Sequence, residues 1–207
     1  MAVDAKLVKE LREQTGAAVL DSKRALEESD GDIEKAKEWL AEKGLATARK
    51  KAGRVAREGV IENYTHTGGR VGVMVEVNCE TDFVAATDQF KDFAHDVALH
   101  IAFANPQYVD VSDIPEAVLE EEKEALFEEA KESGKPDNII EKIVEGRLEK
   151  LYAEIVLLRQ PFVKDEDMTV GELLTKTVSE IKENVQIRRF ARFELGETVE
   201  DAPEDED

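Results

Sequence analysis

Three histidines, one cysteine and 48 carboxylates are the groups that could carry acid–base, metal or nucleophilic chemistry in this 207-residue chain. Their placement argues against it. His95 and His100 are five residues apart, a spacing that no helix brings onto one face, so a metal pair is not expected. Cys79 has no second thiol and ends an apolar strand, where it reads as a packed small hydrophobe. No phosphate-cradling glycine pattern, dinucleotide fingerprint or nucleophile elbow occurs. Carboxylates are spread so widely that no catalytic pair stands out. The expectation is a protein that is not an enzyme and has no metal or cofactor of its own.

One stretch does concentrate polar and aromatic side chains at a structural junction: Asn78-Cys79-Glu80-Thr81-Asp82-Phe83-Val84, running from a strand into a helix. Thr81 and Asp82 are residue types that cap helices by accepting the free N–H groups of the first turn. Phe83 lies seven residues before Phe90 and falls on the same apolar stripe. Periodicity alone therefore places Phe83 in the core.

The elements that must position this junction follow from pattern. Leu7, Val8 and Leu11 form one apolar stripe, broken at Thr15-Gly16; Val19, Leu20 and Leu26 form a second, ended at Ser29-Asp30-Gly31-Asp32. Ile33, Ala36 and Leu40 form a third, with Asp32 as N-cap, Gly44 as the expected stop and Trp39 in the core. The basic segment Ala46 to Glu58 follows, carrying Arg49, Lys50, Lys51, Arg54 and Arg57. It either docks on an acidic partner or RNA, or lies solvated against the protein's own acidic body. The absence of interleaved aromatics lowers the RNA reading.

The period then changes to two. Val60 to His66 and Val71 to Asn78 flank Thr67-Gly68-Gly69-Arg70, which predicts a β-hairpin with one buried face. A helix is expected from about Phe83 to Ala104, two more at about 115–132 and 137–158, and another from the capping box at Thr169-Val170-Gly171-Glu172 through about Glu183. Val185 to Leu195 is strand-like, with Ala191, Phe193 and Leu195 alternating. The fold class is α+β: an N-terminal three-helix module plus a core with a small antiparallel three-stranded sheet packed by helices. The expected domains are a three-helix module at 1–45, a basic helical connector at 46–58, an α+β core at 59–197 and a disordered acidic tail at 198–207.

Charge narrows the partners. Residues 1–57 hold 13 Lys/Arg against 11 Asp/Glu and the remainder 15 against 37, which gives +2 and −22 and sums to the overall −20. Such a body repels a phosphate backbone, so no direct nucleic-acid binding is expected. With no long apolar run, no signal or transit pattern and a single cysteine, the expected place is the cytoplasm, with no membrane partner.

Four separated motifs resemble the elongation factor Ts family. Leu11-Arg12, Thr15-Gly16-Ala17 and Asp21-Ser22-Lys23, with Gly31-Asp32 and Lys50-Lys51-Ala52, resemble its N-terminal signature; Val77 to Ala85 resembles its second. Gln160-Pro161-Phe162-Val163-Lys164-Asp165 and Arg192-Phe193-Glu194-Leu195-Gly196-Glu197 match near the C-terminus. Ala86-Thr87 stands where the family usually has arginine and asparagine, and Ala18, Val19, Leu20 and Ser22 replace glycine, two methionines and cysteine. The resemblance implies a guanine-nucleotide exchange factor of translation elongation. Its N-terminal module would be similar to a ubiquitin-associated domain and dock on elongation factor Tu through Arg12, Val19, Leu20, Lys23 and Lys51. Thr81, Asp82, Phe83 and Val84 would form the working tip, with Phe83 as a wedge and Asp82 disturbing the site near the Mg²⁺ of bound GDP. The chain is shorter than the family's long form, which has a duplicated core and a projecting coiled coil; with one hairpin–helix unit present, a homodimer is implied. Two rivals are a ubiquitin-binding adaptor, resting on the three-helix module, and an acidic chaperone or RNA-associated protein, resting on the connector.

Overall fold

The structure, a computed structural model, describes residues 4–131 and 136–197. Three helices come first: α1 (Ala5–Thr15), α2 (Val19–Glu28) and α3 (Ile33–Lys51). Asp4 and Asp32 cap α1 and α3 by accepting N–H groups from Lys6 and Lys35, and Gly16 ends α1 in the left-handed conformation. The bundle's core is thin. Leu11, Ala25, Leu26 and Ala36 are buried, with Leu7, Val8, Ile33, Trp39 and Leu40 packed around them. Val19 and Leu20 are not part of it: they are 54% and 79% exposed, because Ser22, Ala25 and Leu26 supply the inward face of α2.

Gly44 does not stop the third helix. α3 continues unbroken to Lys51, so the first half of the basic connector is the same helix. A mid-helix glycine costs about 1 kcal/mol, but Gly44 is buried where α3 crosses α8 (Val170–Ile181), facing Ser179 and Thr175. Close helix–helix packing offsets the cost that would otherwise end the helix.

The core is built on a three-stranded antiparallel sheet ordered β1 (Glu58–Thr65), β2 (Val71–Cys79), β5 (Gln186–Glu194). Val73, Val75, Val77 and Cys79 of β2 point to the buried face, as alternation requires. A bulge opposite Glu76/Val77 inserts Arg188 into β5 and shifts its pattern. Val185 and Ile187 are buried, while the alternating Ala191, Phe193 and Leu195 face outward. Against the buried face packs α5 (Asp88–Ala104), with Phe90, Phe93, Ala94, Val97, Ala98 and Ile101 inward.

The expected helix from Phe83 to Ala104 is two helices. A four-residue turn, α4 (Asp82–Ala85), ends at Ala86, and Thr87 caps α5 anew. Beyond α5, α6 (Glu116–Lys131) and α7 (Asp137–Ile155) pair as a helical hairpin with its own apolar cluster around Ala130, Ile140, Val144 and Leu148. Residues Ser133 to Lys135 of the expected break between them, and the acidic tail at 198–207, lie outside the described residues. A second small sheet was not expected: β3 (Pro161–Phe162) pairs with β4 (Asp165–Thr169), and Phe162 is buried. The capping box at Thr169 and Glu172 opens α8 as its spacing requires.

Candidate functional site

The break between α4 and α5 decides the fate of the junction. Thr81 caps α4, its hydroxyl accepting the Val84 N–H at 3.4 Å. Thr87 donates to the Val84 carbonyl at 2.7 Å and accepts the Phe90 N–H at 3.3 Å. The new start rotates the helical phase, so Phe83 leaves the stripe that Phe90 occupies. Phe83 is 82% exposed and Phe90 is fully buried, which overturns the core placement that periodicity gave Phe83. Asp82 is exposed beside it, while Val84 is half-buried and packs on the core with Ala85.

The tip is held from below by the end of α8. The Glu183 carboxylate accepts the Glu80 and Thr81 N–H groups, both at 3.0 Å, and the Thr81 hydroxyl at 2.7 Å. In return, the Asn184 N–H donates to the Glu80 carboxylate at 2.7 Å. That bond, together with nearby Arg54, holds the Glu80 carboxyl below the usual carboxylate range. Asn184 also donates its amide to the Arg54 carbonyl at 2.7 Å.

The same helix end receives the N-terminal bundle. Asp21 pairs with Lys43 at 2.6 Å and with Lys182 at 3.4 Å, and the Lys43 bond chiefly holds its carboxyl below the usual range. Lys51 donates its ammonium to the Lys182 carbonyl. Glu180 lies against Gly16, where an added Cβ would clash with its carboxylate, and accepts from Gln89 at 2.7 Å. Burial pushes the Glu180 carboxyl up. One turn of α8 and the residues after it thus bring the bundle and the tip together.

The other residues singled out by sequence separate by surroundings. Arg12 is exposed in the last turn of α1, and Lys23 is exposed and pairs with Glu27 at 3.7 Å, one turn beyond Val19 and Leu20. Lys51 is half-buried and already engaged. Cys79 is buried, donates to the Thr81 carbonyl at 3.2 Å, and has its thiol pushed up to about 11, chiefly by burial. That is the environment of a packing residue and not of a reactive thiolate. His100 is buried between Gln160 and the Val163 N–H, and burial lowers its pKa. His95 of α5 meets Glu62 of β1 at 3.1 Å, on the face of the sheet that α5 covers. Glu183 and Asn184 were missed because their partners lie about a hundred residues away; the only local hint is a polar pair directly after an amphipathic helix.

An exposed phenylalanine beside an exposed aspartate, and an exposed Val–Leu pair on a small helical bundle, are features that a protein acting by contact with another macromolecule would present. Comparison with known proteins gives it a family. A family model described as Elongation factor TS matches residues 5–197. The chain is 58% identical over 203 residues to elongation factor Ts of Carboxydothermus hydrogenoformans, covering 98% of this chain and 94% of that protein. It is 55% identical over 198 residues to elongation factor Ts of Thermoanaerobacter sp. (strain X514), covering 96% and 97%, and 56% identical over 200 residues to that of Geobacter sulfurreducens, covering 97% and 93%. The chain belongs to the elongation factor Ts family and is an elongation factor of translation.

Proposed function

We propose that the protein is a guanine-nucleotide exchange factor that binds elongation factor Tu in its GDP form and promotes GDP release. The observation that carries this reading is the exposed Asp82–Phe83 pair at the start of α4, held by the end of α8 within a member of this family. Phe83 acts as a wedge. Burying its ring in a partner contributes roughly 2–3 kcal/mol, enough to displace a packed element. Asp82 disturbs the Mg²⁺ of the bound nucleotide, and Mg²⁺ demands near-ideal octahedral oxygen geometry, so a small shift of its ligands loosens the phosphates as well. Linkage makes the effect reciprocal: a factor that favours the nucleotide-free partner lowers GDP affinity, and GDP lowers affinity for the factor by the same ratio. No bond is made or broken, so the protein is not an enzyme and carries no cofactor of its own.

In this reading residues 1–45 are a ubiquitin-associated-like docking module, 46–58 a basic connector, 59–197 the exchange and dimerisation core, and 198–207 an acidic tail. Arg12 and Lys23 face acidic partner side chains, Lys51 would join them from its bond to the Lys182 carbonyl, and Val19 and Leu20 fill a shallow apolar contact. The protein works in the cytoplasm; no helix of the described residues is long and apolar enough to cross a membrane. The outer face of the sheet supports a homodimer: Ile61, Met74 and Phe193 are 58%, 49% and 70% exposed there, around the Glu76–Arg189 ion pair, and a second copy would cover them. Light scattering at micromolar concentration tests it, and a monomer mass would exclude it.

Exchange is tested by release of a fluorescent GDP from elongation factor Tu, with the wild type and Phe83→Ala. Strong acceleration lost in the variant supports both the function and the wedge. Acceleration that survives keeps the function and removes the wedge, and no acceleration overturns the reading.

A further inference from the structure

Glu183 is half-buried and stands two residues past the end of α8, directly after Lys182, which turns into the left-handed region at φ 64° and aims the following chain at the tip. Its carboxylate accepts three donors from one dipeptide: two backbone N–H groups at 3.0 Å and the Thr81 hydroxyl at 2.7 Å. The hydroxyl has a single proton. Because that proton goes to Glu183, the oxygen lone pairs are left to face the Val84 N–H, which they accept at 3.4 Å. Glu183 therefore sets the rotor of the very residue that caps α4. Residues 80–81 and 183–184 clamp each other, since the Asn184 N–H returns a bond to the Glu80 carboxylate.

We propose that Glu183 is a positioning residue for nucleotide release: it fixes the direction in which Asp82 and Phe83 leave the core, without touching the partner itself. This inference rests on the exchange reading above. Charge supports the division of labour. Glu183 carries the same sign as Asp82, so its use lies in binding the donors of the loop and not in adding a contact beyond it. Four residues in a single turn hold an exposed aromatic ring poorly unless the first of them is fixed, and charge-assisted bonds to backbone N–H groups are the strong means of fixing it.

The test uses the full chain with Glu183→Ala and Glu183→Gln. Amide hydrogen exchange is read at Glu80 and Thr81, with Val75 and Val77 of β2 as controls. GDP release from the partner GTPase is read over a range of factor concentrations. In Glu183→Ala the two loop amides should exchange about tenfold faster or more, with the β2 amides unchanged, and the maximal release rate should fall about tenfold while the half-saturating concentration moves little. Glu183→Gln should fall between, because an amide oxygen still accepts but without the charge. If Glu183→Ala loses protection at β2 as well, Glu183→Gln decides alone. Loop amides that stay protected, or that open with no change in maximal release, would overturn the proposal. If the wild type accelerates nothing, the exchange reading falls and the positioning role falls with it, while the amides still report whether the clamp exists.

Discussion

Phe83 and Phe90 are the same residue type, seven positions apart, on what reads as one apolar stripe, yet one is 82% exposed and the other fully buried. The difference comes from two residues between them. Ala86 ends α4 and Thr87 starts α5 with its own cap, so the helical phase is reset. The core keeps Phe90 for cohesion, and the turn before it presents Phe83 to something else. A single cap thus converts a packing residue into an exposed one.

That contrast can be broken from either side. Phe90→Ala should cost about 3–5 kcal/mol of stability in chemical denaturation, since the ring is fully enclosed by the sheet and α5. A loss near 1 kcal/mol would mean that the core collapses into the space. Phe83→Ala should leave the denaturation midpoint within about 0.5 kcal/mol of wild type, as for other exposed sites, and act on GDP release by roughly 2–3 kcal/mol of barrier. Equal stability losses at the two positions would erase the distinction. Thr87→Ala should cost about 1 kcal/mol through the lost cap. A change of only a few tenths would show that the break is held by the burial of Ala85 and not by the hydroxyl.

The smallest effect is a titration at the same junction. Glu180, bonded to Gln89 just ahead of Phe90, has its carboxyl pushed up by burial. A raised carboxyl favours the native state most when protonated, and that advantage fades as pH rises through its folded value. Glu180→Gln should therefore be more stable than wild type at neutral pH, and the gap should close as pH falls through the mildly acidic range. A gap independent of pH would place the effect in packing against Gly16.

Elements with one strong local signal were legible in the sequence. The β2 alternation, the capping box at Thr169 and Glu172, and the inward face of α5 all follow from nearest-neighbour pattern and stand as expected. The readings that fail are those where another residue, near or distant, outweighs the pattern: Phe83 reads as core until Thr87 restarts the helix. Gly44 reads as a helix stop until α8 packs on it. Val19 and Leu20 read as a core stripe until Leu26 and Ala25 take that place. The tip residues are singled out by family resemblance alone, whereas Glu183, whose contacts span 102 and 103 residues, carries no local mark.

The unbroken run of α3 through its crossing on α8 has a consequence for how this factor meets a partner. Because the bundle and the tip share one helix end, the proposed function makes them a two-pronged ligand whose prongs are joined by a packed strut. On that reading, once the first prong is seated, the second arrives as an intramolecular event at high effective concentration, with little orientational freedom left to lose. Avidity of this kind is sensitive to geometry: a strut that is lengthened or loosened keeps each contact and forfeits their cooperation.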